Sequence, residues 1–315
     1  MPVHNAQRFV LQALESVANQ TRRPDRVIVI DNCSTDNTAE LVKNFKGIPV
    51  EYVRNAKDLG PFGNFNRCLD YAAETDYLQI LHADDLIKPR FYESMIPLLE
   101  DCDGFGMAWC LDERIDENGD WLSVSGKADG KIRVLEQDNF LRRKAEIGNQ
   151  AFCATLLKTN RQPIPERFPE EMLIVGDAVY WAKYGVHCKK IVTVDSALAQ
   201  YRWHDSNETV FRSTNIEGLI VDEWRTMQQV EALRKNPWGL IRGIKLRGLL
   251  ATRSGIKAKR FRQLGNAAYA REIAQTARRY CGLPIWLAAC VLVELREIIV
   301  FKIGRRPRQP QNVYS

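Results

Sequence analysis

An α/β chain built on an open, largely parallel sheet with helices on both faces is what three features of this sequence predict. Short apolar runs alternate with stretches of helical periodicity over the first hundred residues, the alternation that parallel strands joined by crossover helices require. Arg26–Ile30 (RVIVI) follows the Pro24-Asp25 breaker and reads as a buried strand. Acidic groups fall directly after strands, Asp31 after this one and His82-Ala83-Asp84-Asp85 after another. The loops at the carboxyl ends of such strands are where these folds bind ligands.

In order along the chain, Ala6–Gln20 reads as a helix, because Phe9, Ala13 and Val17 fall four apart with Val10 and Leu14 beside them. Ser34 to Asn37 supply N-cap candidates for a helix to about Phe45, and Asn37 with Glu40 has the form of a capping box. Val50–Val53 is a second strand, Phe62–Ala73 a second helix and Tyr77–Leu81 a third strand. Pro89–Leu99 follows as a helix with proline in its first turn. Beyond Gly104 the pattern loosens. Strands are expected at Phe105–Leu111, Phe152–Leu157, Lys190–Val194 and Ala197–Tyr201, with an Asn118-Gly119 hairpin turn inside Asp116–Asp120. Helices are expected near Glu136–Lys144, Asp177–Lys183 and Ile216–Leu233.

Charge divides the chain. Up to Asn236 there are 29 Lys and Arg against 36 Asp and Glu, a balance of −7. From Pro237 onward 16 basic residues face three acidic ones, Glu272, Glu294 and Glu297, a balance of +13. In that region Arg242, Lys245, Arg247, Arg253, Lys257, Lys259, Arg260 and Arg262 interleave with Trp238, Leu240, Ile241, Ile244, Leu246, Leu249, Leu250 and Phe261. Leu283–Ile303 is apolar but interrupted by Glu294, Arg296 and Glu297, too broken to span a bilayer. A basic amphipathic segment reads as an interfacial helix on an anionic membrane surface; a helical tail packed on the body is the plain alternative. No nucleic-acid motif accompanies the charge, so nucleic acid is not expected as a partner. Eight scattered cysteines without zinc-like spacing, and no charged-then-apolar leader, point to a cytoplasmic protein with reduced thiols, which the basic tail would hold peripherally at the inner membrane face.

Asp84 and Asp85 form the strongest local signal. Adjacent carboxylates after a buried strand repel one another and call for a cation. Hard oxygen ligands suit Mg²⁺ or Mn²⁺ together with substrate phosphates. A turn cap before Pro89 is the bland alternative.

The order of motifs resembles the inverting glycosyltransferases of family 2. The likeness runs through Pro2-Val3-His4-Asn5-Ala6, Leu14-Glu15-Ser16-Val17, Gln20-Thr21, Val27 to Asn32 and Ser34 to Thr38. It continues through Asn55, Gly60, Asn64 to Leu69 and Leu81 to Asp85, in family order over roughly the first hundred residues. The resemblance implies a GT-A fold, a nucleotide diphosphate sugar donor, and a glycan or lipid-linked acceptor. It further implies a nucleoside contact at Asp31, donor contacts at Pro2, His4, Asn5, Asn66 and Asp84, and a metal at Asp84 and Asp85. Two departures stand out: His82 where the family often has Asp, and His4 where it usually has Tyr; both histidines read as structural groups near the site.

The resemblance also draws attention to Val175-Gly176-Asp177, where the family usually has an acidic pair at a helix start. Gly176 stands where Glu is common, leaving Asp177 as the general base that takes the acceptor hydroxyl's proton; an ordinary helix cap is the other reading. Tyr201-Arg202-Trp203-His204 matches an Arg-x-His followed by a polar loop, Asp205 to Thr209, with Arg202 or His204 positioned to offset charge on the leaving diphosphate.

The expected organisation is donor binding in 1–105, acceptor binding in 106–205 of the same domain, a connecting helix at 206–236 and a basic helical region at 237–315. Family members open with a buried strand just before the position of Pro2, so that strand is expected to be a stub here and the reading frame to begin upstream. A nucleotidyltransferase would need a glycine-rich basic loop that Met1 to Ala6 does not provide. A non-catalytic membrane-bound scaffold would bind nucleotide without sugar turnover.

Overall fold

The computed structural model describes residues 1–147, 152–172, 175–205, 207, 215–234 and 239–302. The chain divides into two compact units. The first comprises Met1–Lys144, Gly148–Glu171 and Gly176–His204, and the second Ala145–Ile147, Met172–Val175 and Asp205–Ser315.

The first unit opens on three parallel strands side by side: β1 (Pro2–Val3), β2 (Ile28–Asp31) and β3 (Glu51–Arg54). Pro2 lies opposite Ile30, and Ile28 opposite Glu51. β1 is two residues long, and the amino group of Met1 extends its ladder by donating to the carbonyl of Ile28 at 2.7 Å. Helix α1 (Val10–Ala18) buries Val10, Ala13, Leu14 and Val17 on the face that the periodicity marks. It begins four residues later than expected. The amides of Ala6 and Gln7 are taken by the side chains of Thr38 and Asp36, which holds Ala6 and Gln7 as a loop.

Helix α2 (Thr38–Asn44) lacks the expected capping box: the Asn37 side chain makes no cap hydrogen bond, and the Asn37 amide donates to Gln7 rather than to Glu40. Helix α3 (Gly60–Leu69) has Pro61 in its first turn, where no amide is needed. Gly60 sits at φ +68°, a backbone setting that glycine adopts without strain.

The larger sheet contains β4 (Tyr77–Leu78), β5 (Leu86–Ile87), β6 (Gly106–Ile115), β7 (Trp121–Val124), β8 (Ile132–Val134), β9 (Thr155–Lys158) and β10 (Lys190–Arg202). Its order is β4-β9-β6-β10-β5, with β7 on β6 and β8 on β10. Here the largely parallel expectation gives way to a mixed sheet. β6 and β10 run parallel, whereas the β4–β9, β6–β9, β5–β10, β6–β7 and β8–β10 pairs are antiparallel. The β6–β7 turn closes as the Asn-Gly signal predicts: Gly119 has φ +94°, and the Asp116 carboxylate accepts from the amides of Asn118 and Asp120.

The two strands expected at 190–194 and 197–201 are one, broken by register shifts between Val194 and Ala199. Such bulges bend a strand. The far end of β10 pairs with β5, directly after Asp85. Helices α4 (Phe91–Met95), α5 (Gln137–Ile147) and α6 (Gly176–His187) complete the layers. The core joins Leu14 and Val17 of α1, Val29 of β2, Phe91 and Met95 of α4, Ala108 and Cys110 of β6, and Val192 of β10.

The second unit is helical. A π-turn, Glu217–Asp222, leads into α7 (Glu223–Ala232), so the helix expected at Ile216–Leu233 is irregular at its start. Helices α8 (Gly239–Gln263), α9 (Ala267–Cys281) and α10 (Leu283–Lys302) follow. Asn266 caps α9 by accepting from the Tyr269 amide at 3.1 Å. Leu246, Leu250 and Ala258 of α8, Ala270, Ile273 and Ala277 of α9, and Trp286, Ala289 and Val293 of α10 are buried. Many of the basic groups are structural here. Arg242 bridges Glu146 and Glu231, while Arg253 and Lys257 hold Glu223. No helix among the described residues is long and apolar enough to cross a membrane.

Candidate active site

The carboxyl end of β2 carries the first cluster. Asp31 is fully buried, and its carboxylate accepts from the Ser34 amide at 2.8 Å, from the Tyr52 hydroxyl, and from Arg54 Nη1 at 2.9 Å. Burial alone would raise its pKa, but the bonds from Ser34 and Tyr52 and the Arg54 charge bring it below the ordinary carboxylate value. It is therefore ionised and rigidly aimed.

His4 Nδ1 donates to the Asn32 carbonyl at 2.7 Å, which fixes that tautomer and leaves Nε2 to accept from Asn5. Asn5 adopts φ +48°, and its side chain accepts from the Thr35 amide. Pro2 lies buried in β1. Asn32, Asn55 and Asn64 form a buried amide chain that ties α3 to the end of β2. Asn66 is drawn away from this cluster: it donates to Phe168 O and Glu170 and accepts from the Phe168 amide. Its side chain clamps the 168–170 loop.

The second cluster is His82, Asp84 and Asp85, whose ligand-capable atoms all lie within 4.8 Å of one another. Asp85 is 1% exposed, and its Oδ1 accepts from the Arg202 amide at 3.0 Å. Its other oxygen and His82 Nε2 are buried without a hydrogen-bond partner among the described residues. Buried polar atoms are rarely left so, and an orphaned pair commonly awaits a water or ion. Burial, then the neighbouring Asp84 charge, pushes Asp85 well above the usual carboxylate range. For Asp84 burial acts upward too, but the hydrogen bond with His204 (3.1 Å) carries it below. Burial lowers the His82 pKa and keeps the imidazole neutral, the form that binds metals. Its ring is held between Phe65 and Phe152, at centroid distances of 4.9 and 4.5 Å. The donor set fits a divalent cation.

Arg202 is placed differently from the expectation. It is 1% exposed, with Nε on the Asp84 carbonyl (2.9 Å), Nη1 on the carbonyls of Asp116 and Glu117, and Nη2 on Gln12. The guanidinium is engaged by the protein and sets the backbone of the Asp84–Asp85 turn. The Phe9 ring lies beneath it at 4.8 Å and also contacts His204. Of the polar loop that follows, 206 and 208–214 lie outside the described residues.

Asp177 stands half-buried in the first turn of α6, accepting from the Ala178 amide. A negative charge there is favoured by the helix dipole. A Cβ on Gly176 would come within 2.8 Å of the Phe62 ring and 3.1 Å of Pro169, so the glutamate usual in the resembling family has no room. Lys144, buried among Trp109 and Phe140, senses the Asp177 charge. Burial lowers its pKa to about 7, against the upward pull of Asp177. Because the unfolded chain binds that proton up to about pH 10, the wild type gains stability as pH rises from 7 to 10. Lys144→Met is therefore expected to be more stable than wild type at pH 6, with the gap shrinking by about 3 kcal/mol by pH 9. Urea denaturation at both pH values checks it; a gap independent of pH refutes the shifted lysine.

Sequence reasoning missed Tyr52, Arg54, Gln12, Lys144 and the aromatic walls of His82. Only Arg54 had a legible signal, as the polar residue that ends a strand.

Residues 1–160 match the family description Glycosyl transferase family 2. An uncharacterized glycosyltransferase of Methanocaldococcus jannaschii is 22% identical over 199 residues, covering 62% of this chain and 66% of that protein. The abequosyltransferase RfbV of Salmonella typhimurium is 32% identical over 159 residues, 47% of each chain. The chain thus spans less than two thirds of the length of either relative. The crystal structure of Staphylococcus aureus TarS residues 1–349 in complex with UDP-GlcNAc superposes with a TM-score of 0.56 at 14% identity, covering 88% of this chain and 90% of that one. With a family match over half of its length, this chain belongs to glycosyl transferase family 2.

Proposed function

We propose that the protein transfers a sugar, with inversion, from a nucleotide diphosphate donor to an acceptor hydroxyl in glycan or lipid-linked polysaccharide assembly. The observation that carries this reading is the His82–Asp84–Asp85 group, with His82 Nδ1 4.0 Å from the buried Oδ2 of Asp85. His82, Asp84 and Asp85 would hold a Mn²⁺ or Mg²⁺ ion, which would supply positive charge against the leaving diphosphate. The imidazole favours Mn²⁺, since Mg²⁺ prefers oxygen alone.

Asp31, fixed by Tyr52 and Arg54, takes the nucleoside, beside Pro2, His4 and Asn5. His204 orients the Asp84 carboxylate, and Arg202 holds the turn that presents it. Asp177 accepts the proton of the attacking hydroxyl on the side opposite the diphosphate. The UDP-GlcNAc complex of TarS supports a nucleotide-sugar donor by likeness of fold. Free thiols at all eight cysteines and the basic second unit support a cytoplasmic protein working at an anionic membrane face.

The test is thermal stabilisation by nucleoside diphosphates and their sugars with and without Mn²⁺. A rise of a few degrees at saturating ligand is expected only when nucleotide and metal are both present. No rise with any nucleotide, or an equal rise in chelator, would overturn the metal-bridged reading.

A further inference from the structure

Among the described residues of the second unit, α10 exposes an apolar face, as does the start of α8 at Leu240, Ile241 and Ile244. Leu283, Leu287 and Val291 recur every fourth residue along α10, and with Leu292 they are 47–60% exposed. The opposite face, Trp286, Ala289 and Val293, is buried, with Val293 3.5 Å from where a Cβ on Gly255 would sit. No charged residue interrupts Leu283 to Val293. A continuous apolar stripe of this kind on a soluble surface marks an interaction site.

Its flank is cationic. Arg247, Arg278 and Arg279 are exposed, and none is among the groups that Glu146, Glu223 and Glu231 hold in ion pairs. Arg278 and Arg279 lie in the last turn of α9, which Gly282 joins to the start of the apolar stripe at Leu283, and Arg247 contributes to the field at Cys281 in the same turn. Three exposed arginines outside those ion pairs disfavour contact with a second copy of the same face and attract anionic headgroups.

We infer that α10 lies in the plane of an anionic phospholipid surface, its Leu283–Leu287–Val291 stripe among the acyl chains and Arg247, Arg278 and Arg279 on the phosphates. This rests on, and sharpens, the membrane-face reading above, and it is independent of the metal site. It differs from a general attraction of the basic tail, because it requires the stripe as well as the charge.

The experiment is co-sedimentation of the full chain with phosphatidylcholine vesicles, with and without phosphatidylglycerol. The wild type is expected on the anionic vesicles only, less so at raised salt. Leu287→Glu with Val291→Glu should weaken that binding at least tenfold. Replacing Arg247, Arg278 and Arg279 by glutamine should weaken it by about fivefold per arginine. Circular dichroism and light scattering on the same variants report folding and self-association.

Wild-type binding to no vesicle overturns the inference, as does a folded Leu287→Glu/Val291→Glu variant that binds like the wild type. A dimer that this variant dissociates also overturns it, by assigning the stripe to a second copy. Mn²⁺-dependent nucleotide binding is measured alongside. Its absence in a chain that binds vesicles sinks the catalytic reading and leaves the anchor standing.

Discussion

Replacing Asp177 by asparagine is expected to lower the rate of sugar transfer by about 10²–10⁴-fold, the usual contribution of a general base, with donor affinity and melting temperature almost unchanged. The substitution is nearly isosteric. It keeps an oxygen that can accept from the Ala178 amide and much of the capacity to sit at a helix start. What it loses is the lone pair basic enough to take a proton from the acceptor. Single-turnover transfer with saturating donor reads the chemical step directly. Transfer at the wild-type rate would leave Asp177 as a first-turn charge of α6 and move the base elsewhere.

Asp85→Asn separates metal binding from folding. The native carboxylate is buried and sits against Asp84, and both conditions disfavour its charge. Asparagine relieves that repulsion and still accepts the Arg202 amide hydrogen bond. Without metal the variant should melt no lower than the wild type. With Mn²⁺ present, its affinity for a nucleotide diphosphate sugar should fall by about 100-fold or more, beyond what loss of an outer partner of a metal ligand costs. Titration calorimetry with and without Mn²⁺ decides the matter. An unchanged metal-dependent affinity would show that Asp85 is a buried turn residue and nothing more.

The periodicity of this sequence determined the elements that local physics can set. Val10, Ala13, Leu14 and Val17 fall on one helical face whatever surrounds them, and Val29-Ile30 can only be a buried strand. Asp31 and the His82–Asp85 stretch follow apolar runs, so their place at loop positions was legible. So was the Asn118-Gly119 turn, because a left-handed glycine is a local requirement.

Only the tertiary structure decided the rest. Whether β6 meets β10 in parallel and β9 in antiparallel depends on sheet order, and no periodicity of a single strand encodes its neighbour's direction. The bulge in β10 joined two expected strands and carried Arg202 to the carbonyl of Asp84, far away in sequence. An arginine that reads as ligand-facing was thereby engaged by Gln12 and by backbone carbonyls. Gly176 looked like a lost glutamate until Phe62 and Pro169 showed the space to be filled. Composition gave the charge of the last eighty residues as a whole. Which cations are neutralised by Glu146, Glu223 and Glu231, and which stand beside an uncovered apolar stripe, depends on packing between helices. Hydrophobic period is a property of one element, whereas ion pairing and burial are properties of two surfaces brought together, and only the fold brings them.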